Sequence, residues 1–208
     1  MKDAVRVHEP PEGRLLADAR MLDRFAPGFL LLLCKNENNP VVVMDTSFGT
    51  IHIELYTKKA PLTCSNFLRY IDENRYGDFH FYRSVTMENQ PNDKIKIEVI
   101  QGGLGFDYHP LELPPISHET TIISGINHLK GTISMARLEP GTASSEIFIC
   151  INDQPELDYG GKRNSDGQGF AAFGKVILGM DIVKIIHSLP DKEQLLIKNV
   201  KVNSILRK

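Results

Sequence analysis

The sequence has no tryptophan, only three cysteines in 208 residues, and no apolar run long enough to cross a bilayer. Its longest such run, Phe29 to Cys34, has six residues; a spanning helix needs about 20. Cys34, Cys64 and Cys150 lie far apart and are odd in number, which fits a chain that needs no disulfide framework and leaves the redox compartment open. Within "EIFICI", Cys150 reads as a small buried hydrophobe rather than a reactive thiol. An excess of one charge sign is also missing: 24 basic against 26 acidic residues give a net charge of -2, and no basic stripe marks nucleic acid as a partner.

Motifs for several chemistries are absent as well. Among the seven histidines, His109, His118 and His128 are nine and ten residues apart, so no short metal-ligand pair exists. The loop "GGKRNSDGQG" lacks the G-x-x-x-x-G-K-[ST] spacing of a phosphate-binding loop, because Arg163 follows Gly161-Lys162, and it reads as a long turn. Ser144-Ser145 has no G-x-S-x-G elbow around it. "SHET", Ser117 to Thr120, reads as a loop or cap. Neither a metal nor a cofactor is implied.

What is present changes character near residue 40. Residues 1–40 mix charges and prolines around the apolar patch and read as an N-terminal extension, docked or partly disordered. A cytoplasmic location is the expectation. A periplasmic or lipid-anchored form stays open, because Leu-Leu-Leu-Cys at Cys34 resembles a lipoprotein cleavage site, although Leu33 stands where that signal wants a small residue. From Val41 to Lys208 the pattern is regular and fits one domain. "VVVMDTSFGTIHIELY" gives two β-rich runs around a turn. Pro61 opens a helix in which Cys64, Phe67, Leu68 and Ile71 follow at helical spacing. "MDIVKIIHSL" predicts a second helix. Strands are expected at "FHFYRSV", "KIKIEVIQ", "GTISMA", "EIFICI", "FAAFGKV" and "IKNVKVNSI". The implied class is mainly β, an antiparallel barrel or sandwich with two helices.

The segment "FHFYRSV", Phe79 to Val85, poses a chemical question. Strict alternation places Phe79, Phe81, Arg83 and Val85 on one face, and His80, Tyr82 and Ser84 on the other. Arg83 cannot shed its charge. It must reach a rim, meet a carboxylate, or face a cleft. Similarly, Ile95, Ile97, Val99 and Gln101 share a face.

"FYR" at 81–83, "VIQGG" at 99–103, "GTISMA" at 131–136, "SSEIFIC" at 144–150 and "AFGKV" at 172–176 together resemble the cyclophilin-type peptidyl-prolyl cis-trans isomerases, in a divergent bacterial form. "GTIHIELY…APLTCSNF" and "FGKVILGMDIVKII" extend the resemblance over about Val41 to Lys208. It implies a closed eight-stranded antiparallel barrel capped by two helices, with the active groove outside. It implies that Arg83 is catalytic and that Gln101 steadies it. Phe148 would floor a proline pocket, with Leu157 as a wall. Val99 stands where methionine is usual, and Ala136 at a backbone position that bonds the bound peptide.

The resemblance further implies rotation about X–Pro bonds in folding proteins, by a monomer acting on proline-containing peptides. The alternative is a proline-peptide-binding module or chaperone with little catalysis. Departures from the family pattern are Glu98 and Glu156 where aromatics are usual, Glu146 for glutamine, Arg137 for asparagine, and Phe170 for histidine. The loop "TMENQPNDKIKI" is also longer than usual and is expected to cover or reshape the groove. Glu146 and Arg137 are expected to pair and leave Arg83 free. Loss of the groove-edge aromatic implies weak cyclosporin binding.

Overall fold

Alternating β-branched residues in the first two runs form a hairpin, β1 (Val41–Thr46) and β2 (Gly49–Leu55), in the computed structural model, which describes residues 39–208. Val42, Met44, Ile51, Ile53 and Leu55 all turn inward to complete burial. The remaining strands are β3 (His80–Val85), β4 (Val99–Gly103), β5 (Thr132–Met135), β6 (Ile147–Cys150), β7 (Ala171–Leu178), β8 (Asp191–Lys192) and β9 (Leu195–Arg207). Their order is β1-β2-β7-β5-β6-β4-β3-β9-β8, every pairing is antiparallel, and β1 also pairs with β9. That last pairing closes eight strands into a barrel with no free edge, leaving β8 as an extra strand beside β9.

Helix α1 (Pro61–Asp72) and helix α3 (Met180–His187) were both expected. They pack against the barrel through Cys64, Phe67 and Tyr70, and through Val183 and Ile186. A four-residue helix, α2 (Thr121–Ser124), and strand β8 were not expected. Both are too short to show a periodicity. Residues 1–38, which include Cys34 and nearly all of the extension expected over residues 1–40, lie outside the described residues.

The core is divided by the barrel wall. Inside it, Phe67, Phe79, Phe81 and Phe173 are fully buried, each ring contributing about 2–3 kcal/mol of transfer free energy. A second, smaller cluster contains Val85, Ile97, Val99, Phe148, Cys150 and Leu157, with Ala136 and Phe170 packed against it. Cys150 is fully buried there, and burial pushes its thiol pKa up. Because β4, β5 and β6 are buried on both faces, something outside the barrel must cover them.

Two expectations about register need correction. Strand β3 does not alternate strictly, because the ladder shifts between Phe81, opposite Gly102, and Arg83, opposite Gln101. Tyr82 is the extra residue of this bulge, and bulges re-aim side chains. Phe81 therefore belongs to the inner core, whereas Arg83 and Val85 go outside. Nor does "KIKIEVIQ" form one strand. The Gln90 side chain takes both backbone groups of Ile97, accepting from its N–H (3.2 Å) and donating to its C=O (2.8 Å), so no neighbouring strand can. Ile97 still packs beside Val99.

Candidate active site

Strand register alone assembles the site. Arg83 lies opposite Gln101, Gln101 opposite Phe148, and Phe148 opposite Ser134, making one row across β3, β4, β6 and β5. Neighbouring strands are about 4.8 Å apart, so residues 65 positions distant in sequence (83 and 148) become near neighbours. One step along the barrel, Val85, Val99 and Cys150 form the adjoining row. These rows floor an open groove of about 380 Å³. Its apolar end is lined by Val85, Ile97, Val99, Phe148, Leu157 and Phe170.

Phe148 is held from two directions. Phe170 meets it edge-on at 5.2 Å between centroids, and His128 stacks nearly parallel at 5.8 Å. His128 Nδ1 is 2.7 Å from Asp158 Oδ1, and its Nε2 is 2.9 Å from Ser134 Oγ. Serine, histidine and aspartate thus line up as in a hydrolase. Ser134 is fully buried, so no acyl group can reach it, and the trio serves as support under Phe148.

Arg83 is half-buried and meets amides rather than a carboxylate. Nη1 donates to Gln101 Oε1 at 3.0 Å, and Nε (3.1 Å) and Nη2 both donate to Gln194 Oε1. One N–H remains on each terminal nitrogen. Among the described residues no carboxylate lies within 4 Å of the guanidinium. Burial, with a smaller push from Arg163, lowers the Arg83 pKa without discharging it.

Gln101 is itself oriented. Its Nε2 donates to Tyr82 Oη (2.8 Å), and Tyr82 donates to Glu146 Oε2 (2.5 Å). Glu146 Oε1 accepts from Leu104 N–H (2.8 Å), Gly105 N–H (3.0 Å) and Ser145 Oγ (2.9 Å). A side chain at Gly103 would collide with that carboxylate, so glycine is what lets it tuck under the chain. Burial pushes the Glu146 pKa up despite four donors pulling it down. Burial and the Glu146 charge push the Tyr82 hydroxyl up, keeping it a donor. The amide of Gln101 can then point only one way, oxygen toward Arg83.

The expected Glu146–Arg137 pair does not exist. Arg137 forms a bidentate pair with Asp166 (2.8 and 2.9 Å), donates from Nε and Nη2 to Gly169 O (2.9 and 2.6 Å) and from Nη1 to Leu138 O (3.0 Å). All five of its N–H groups are used, while its guanidinium lies 5.2 Å over the Phe170 ring. Bidentate geometry and the cation–π contact make Asp166 and Phe170 the better partners. Glu146 is not bridged to Arg83 either. Ala136 lines the groove with its N–H taken by Glu146 O (2.8 Å), which leaves its carbonyl for a ligand.

The long loop after β3 forms one side of the groove. Arg163 Nη1 donates to Ile95 O (2.6 Å) and pairs with Asp93 (3.1 Å), and Gln194 Nε2 donates to Asn89 O (3.1 Å). Glu98 accepts from Asn152 (2.7 Å), and Glu156 from the Lys162 N–H (2.8 Å). Sequence reasoning missed Tyr82, Gln194 and Arg163. Tyr82 was hidden by the bulge. Gln194 carries no local signal, since it lies 111 residues beyond Arg83.

A closed antiparallel barrel with an apolar pocket on its outer wall, beside a guanidinium held by two amides, has the architecture of a peptidyl-prolyl isomerase. The model of the family "Cyclophilin type peptidyl-prolyl cis-trans isomerase/CLD" matches residues 41–206, and the chain belongs to this enzyme family, which isomerises X–Pro peptide bonds. A peptidyl-prolyl cis-trans isomerase of Acinetobacter baylyi is 36% identical over 167 residues, covering 78% of this chain and 80% of its own. Peptidyl-prolyl cis-trans isomerase B of Escherichia coli is 30% identical, over 78% of this chain and 99% of its own. The crystal structure of a Cryptosporidium parvum cyclophilin type isomerase, solved also in the presence of the dipeptide Ala-Pro, superposes with a TM-score of 0.63 at 22% identity, covering 80% of this chain and 97% of that one.

Proposed function

We propose that Arg83 is the catalytic donor, that Gln101 fixes it, and that Phe148, Leu157 and Val99, joined by Val85 and Ile97, hold the prolyl ring. The observation behind this reading is the Arg83–Gln101–Phe148 row, which sets a charged donor beside an apolar pocket. An X–Pro bond has partial double-bond character and a rotation barrier of about 18–20 kcal/mol. In the planar state the prolyl nitrogen shares its lone pair with the carbonyl and accepts hydrogen bonds poorly. At the twisted transition state the pair localises and becomes a good acceptor. A fixed guanidinium there binds the transition state better than either planar isomer, which is the condition for catalysis. The two unused N–H groups of Arg83 supply such a donor. No bond breaks, so no nucleophile or metal takes part.

Ligands are proline-containing segments of folding polypeptides, in keeping with the Ala-Pro present with the Cryptosporidium protein. They rest on the Ala136 carbonyl, with Glu146 and Arg137 shaping the groove while their polar atoms stay with protein partners. The enzyme acts as a monomer in the cytoplasm. With Glu156 turned to Lys162, the groove lacks the edge aromatic and binds cyclosporin weakly. Exchange NMR on an Ala-Pro peptide tests the reading. Wild type should accelerate interconversion, and Arg83→Ala should lose about 100-fold in kcat/KM, or ~2.7 kcal/mol. Equal rates in the two proteins would sink it.

A further inference from the structure

Away from the proline pocket, the same groove ends among Gly105, Phe106, Glu112, Leu138, Thr142 and Ser144. Contacts fix this end: Ser144 Oγ donates to Glu112 Oε1, Thr142 Oγ1 accepts from Leu138 N–H (3.1 Å), and Phe106 packs edge-on against Tyr82 at 4.7 Å. Its walls are apolar and open, with Leu138 87% and Phe106 65% exposed. At its head stands a carboxylate with no counter-ion, since none of the ion pairs among the described residues includes Glu112. Of the three arginines along the groove, Arg137 is committed to Asp166 and Arg163 to Asp93, and Arg83 stands at the proline end. Glu146 adds a second negative charge on this side. The groove is therefore polarised, with Arg83 and Arg163 facing the proline end and Glu112 the other.

An apolar trough leading to a carboxylate suits a side chain with an aliphatic stem and a cationic head. The Phe106 ring can also take a cation on its face. An acidic side chain would meet two like charges. We propose that Glu112 makes this end of the groove select a lysine or arginine of the client polypeptide, within roughly three residues (~10 Å of extended chain) of the isomerised proline. The proposal rests on the groove being the X–Pro site, and its test is built to separate the two.

Peptides carrying lysine, norleucine or glutamate at each of these positions around one Ala-Pro bond would be compared by exchange NMR, and their affinities measured by titration. Norleucine keeps the stem without the charge. At one position the wild-type lysine/norleucine ratio in kcat/KM should be about two- to fivefold, as expected for a partly exposed pair. It should shrink toward one in about 0.5 M NaCl. Glu112→Gln retains the acceptor for Ser144 and should abolish the ratio; Glu112→Lys should transfer the preference to glutamate. A ratio of one at every position, or a lysine preference that survives Glu112→Gln, would overturn the proposal. If wild type accelerates no peptide, the isomerase reading of the groove fails, and the titrated affinities still decide whether Glu112 selects a cation.

Discussion

Arg83 depends on a residue that departs from ordinary backbone geometry. Glu193 and Gln194 form the β8–β9 turn with φ of 53° and 73°, a left-handed pair that this hairpin type requires but that glycine or asparagine normally supplies. For a residue with a Cβ this conformation costs roughly 1 kcal/mol. Here it delivers the side-chain oxygen Oε1 of Gln194 to Nε and Nη2 of Arg83, while the side-chain Nε2 donates to Asn89 O. Gln194→Gly would relieve the backbone and remove both contacts. Thermal stability should stay within about 1 kcal/mol of wild type, because strain relief and access of water to the half-exposed partners offset the three lost hydrogen bonds. Activity should fall roughly tenfold, or ~1.4 kcal/mol. Retained kcat/KM in the glycine variant would show that Gln194 does not position Arg83. Arg83, Gln101 and Phe148 were named from motifs, whereas Gln194 was not legible because "KEQL" resembles no turn signal. The expected partners of Glu146 failed for a related reason: Asp166 and Tyr82 compete for Arg137 and Glu146 in space, which spacing along the chain does not encode.

At the scale of elements, helix α1 shows how the chain assigns charge to structure. It starts at Pro61 with Ala60 before it, and Ala60 offers no capping side chain. The carboxylate of Glu119 substitutes from 57 residues away, accepting from Leu62 N–H (3.2 Å), Thr63 N–H (2.7 Å) and Thr63 Oγ1 (2.7 Å). A negative group at a helix N-terminus is doubly favoured, by hydrogen bonding and by the dipole. Glu119→Ala would leave buried donors unpaired and should cost about 2–4 kcal/mol, read by denaturant unfolding. Turnover per folded molecule should not change, since Glu119 lines no part of the groove. A loss below about 0.5 kcal/mol would mean that water caps the helix as well. Long periodic elements were legible in sequence; α1, α3 and seven of the strands fall where apolar spacing put them. The β3 bulge was not, because it depends on pairing with β4 and β9. One extra residue there moves Arg83 from the core face to the groove.

At the scale of the whole molecule, closure of the barrel explains why the site lies outside it. Side chains such as Phe81, Ile100, Ile133, Ile149 and Phe173 fill the interior, leaving no room for a ligand. The outward row of Arg83, Gln101 and Phe148 is therefore the usable surface, and loops 86–98 and 154–170 wall it in. Each strand of that wall is paired on both sides, so the row rests on a ladder with no free edge. The central claim is that this row lowers the barrier to rotation and does more than bind proline. Arg83→Lys separates the two, since it keeps a positive charge and loses the planar fork of donors. Exchange line shapes of an Ala-Pro peptide give affinity and catalysed rate from the same titration. The expected result is a peptide Kd within about threefold of wild type and a catalysed rate at least tenfold lower, ~1.4 kcal/mol or more of transition-state stabilisation. Unchanged rates in Arg83→Lys, or a rate loss fully matched by lost affinity, would contradict it.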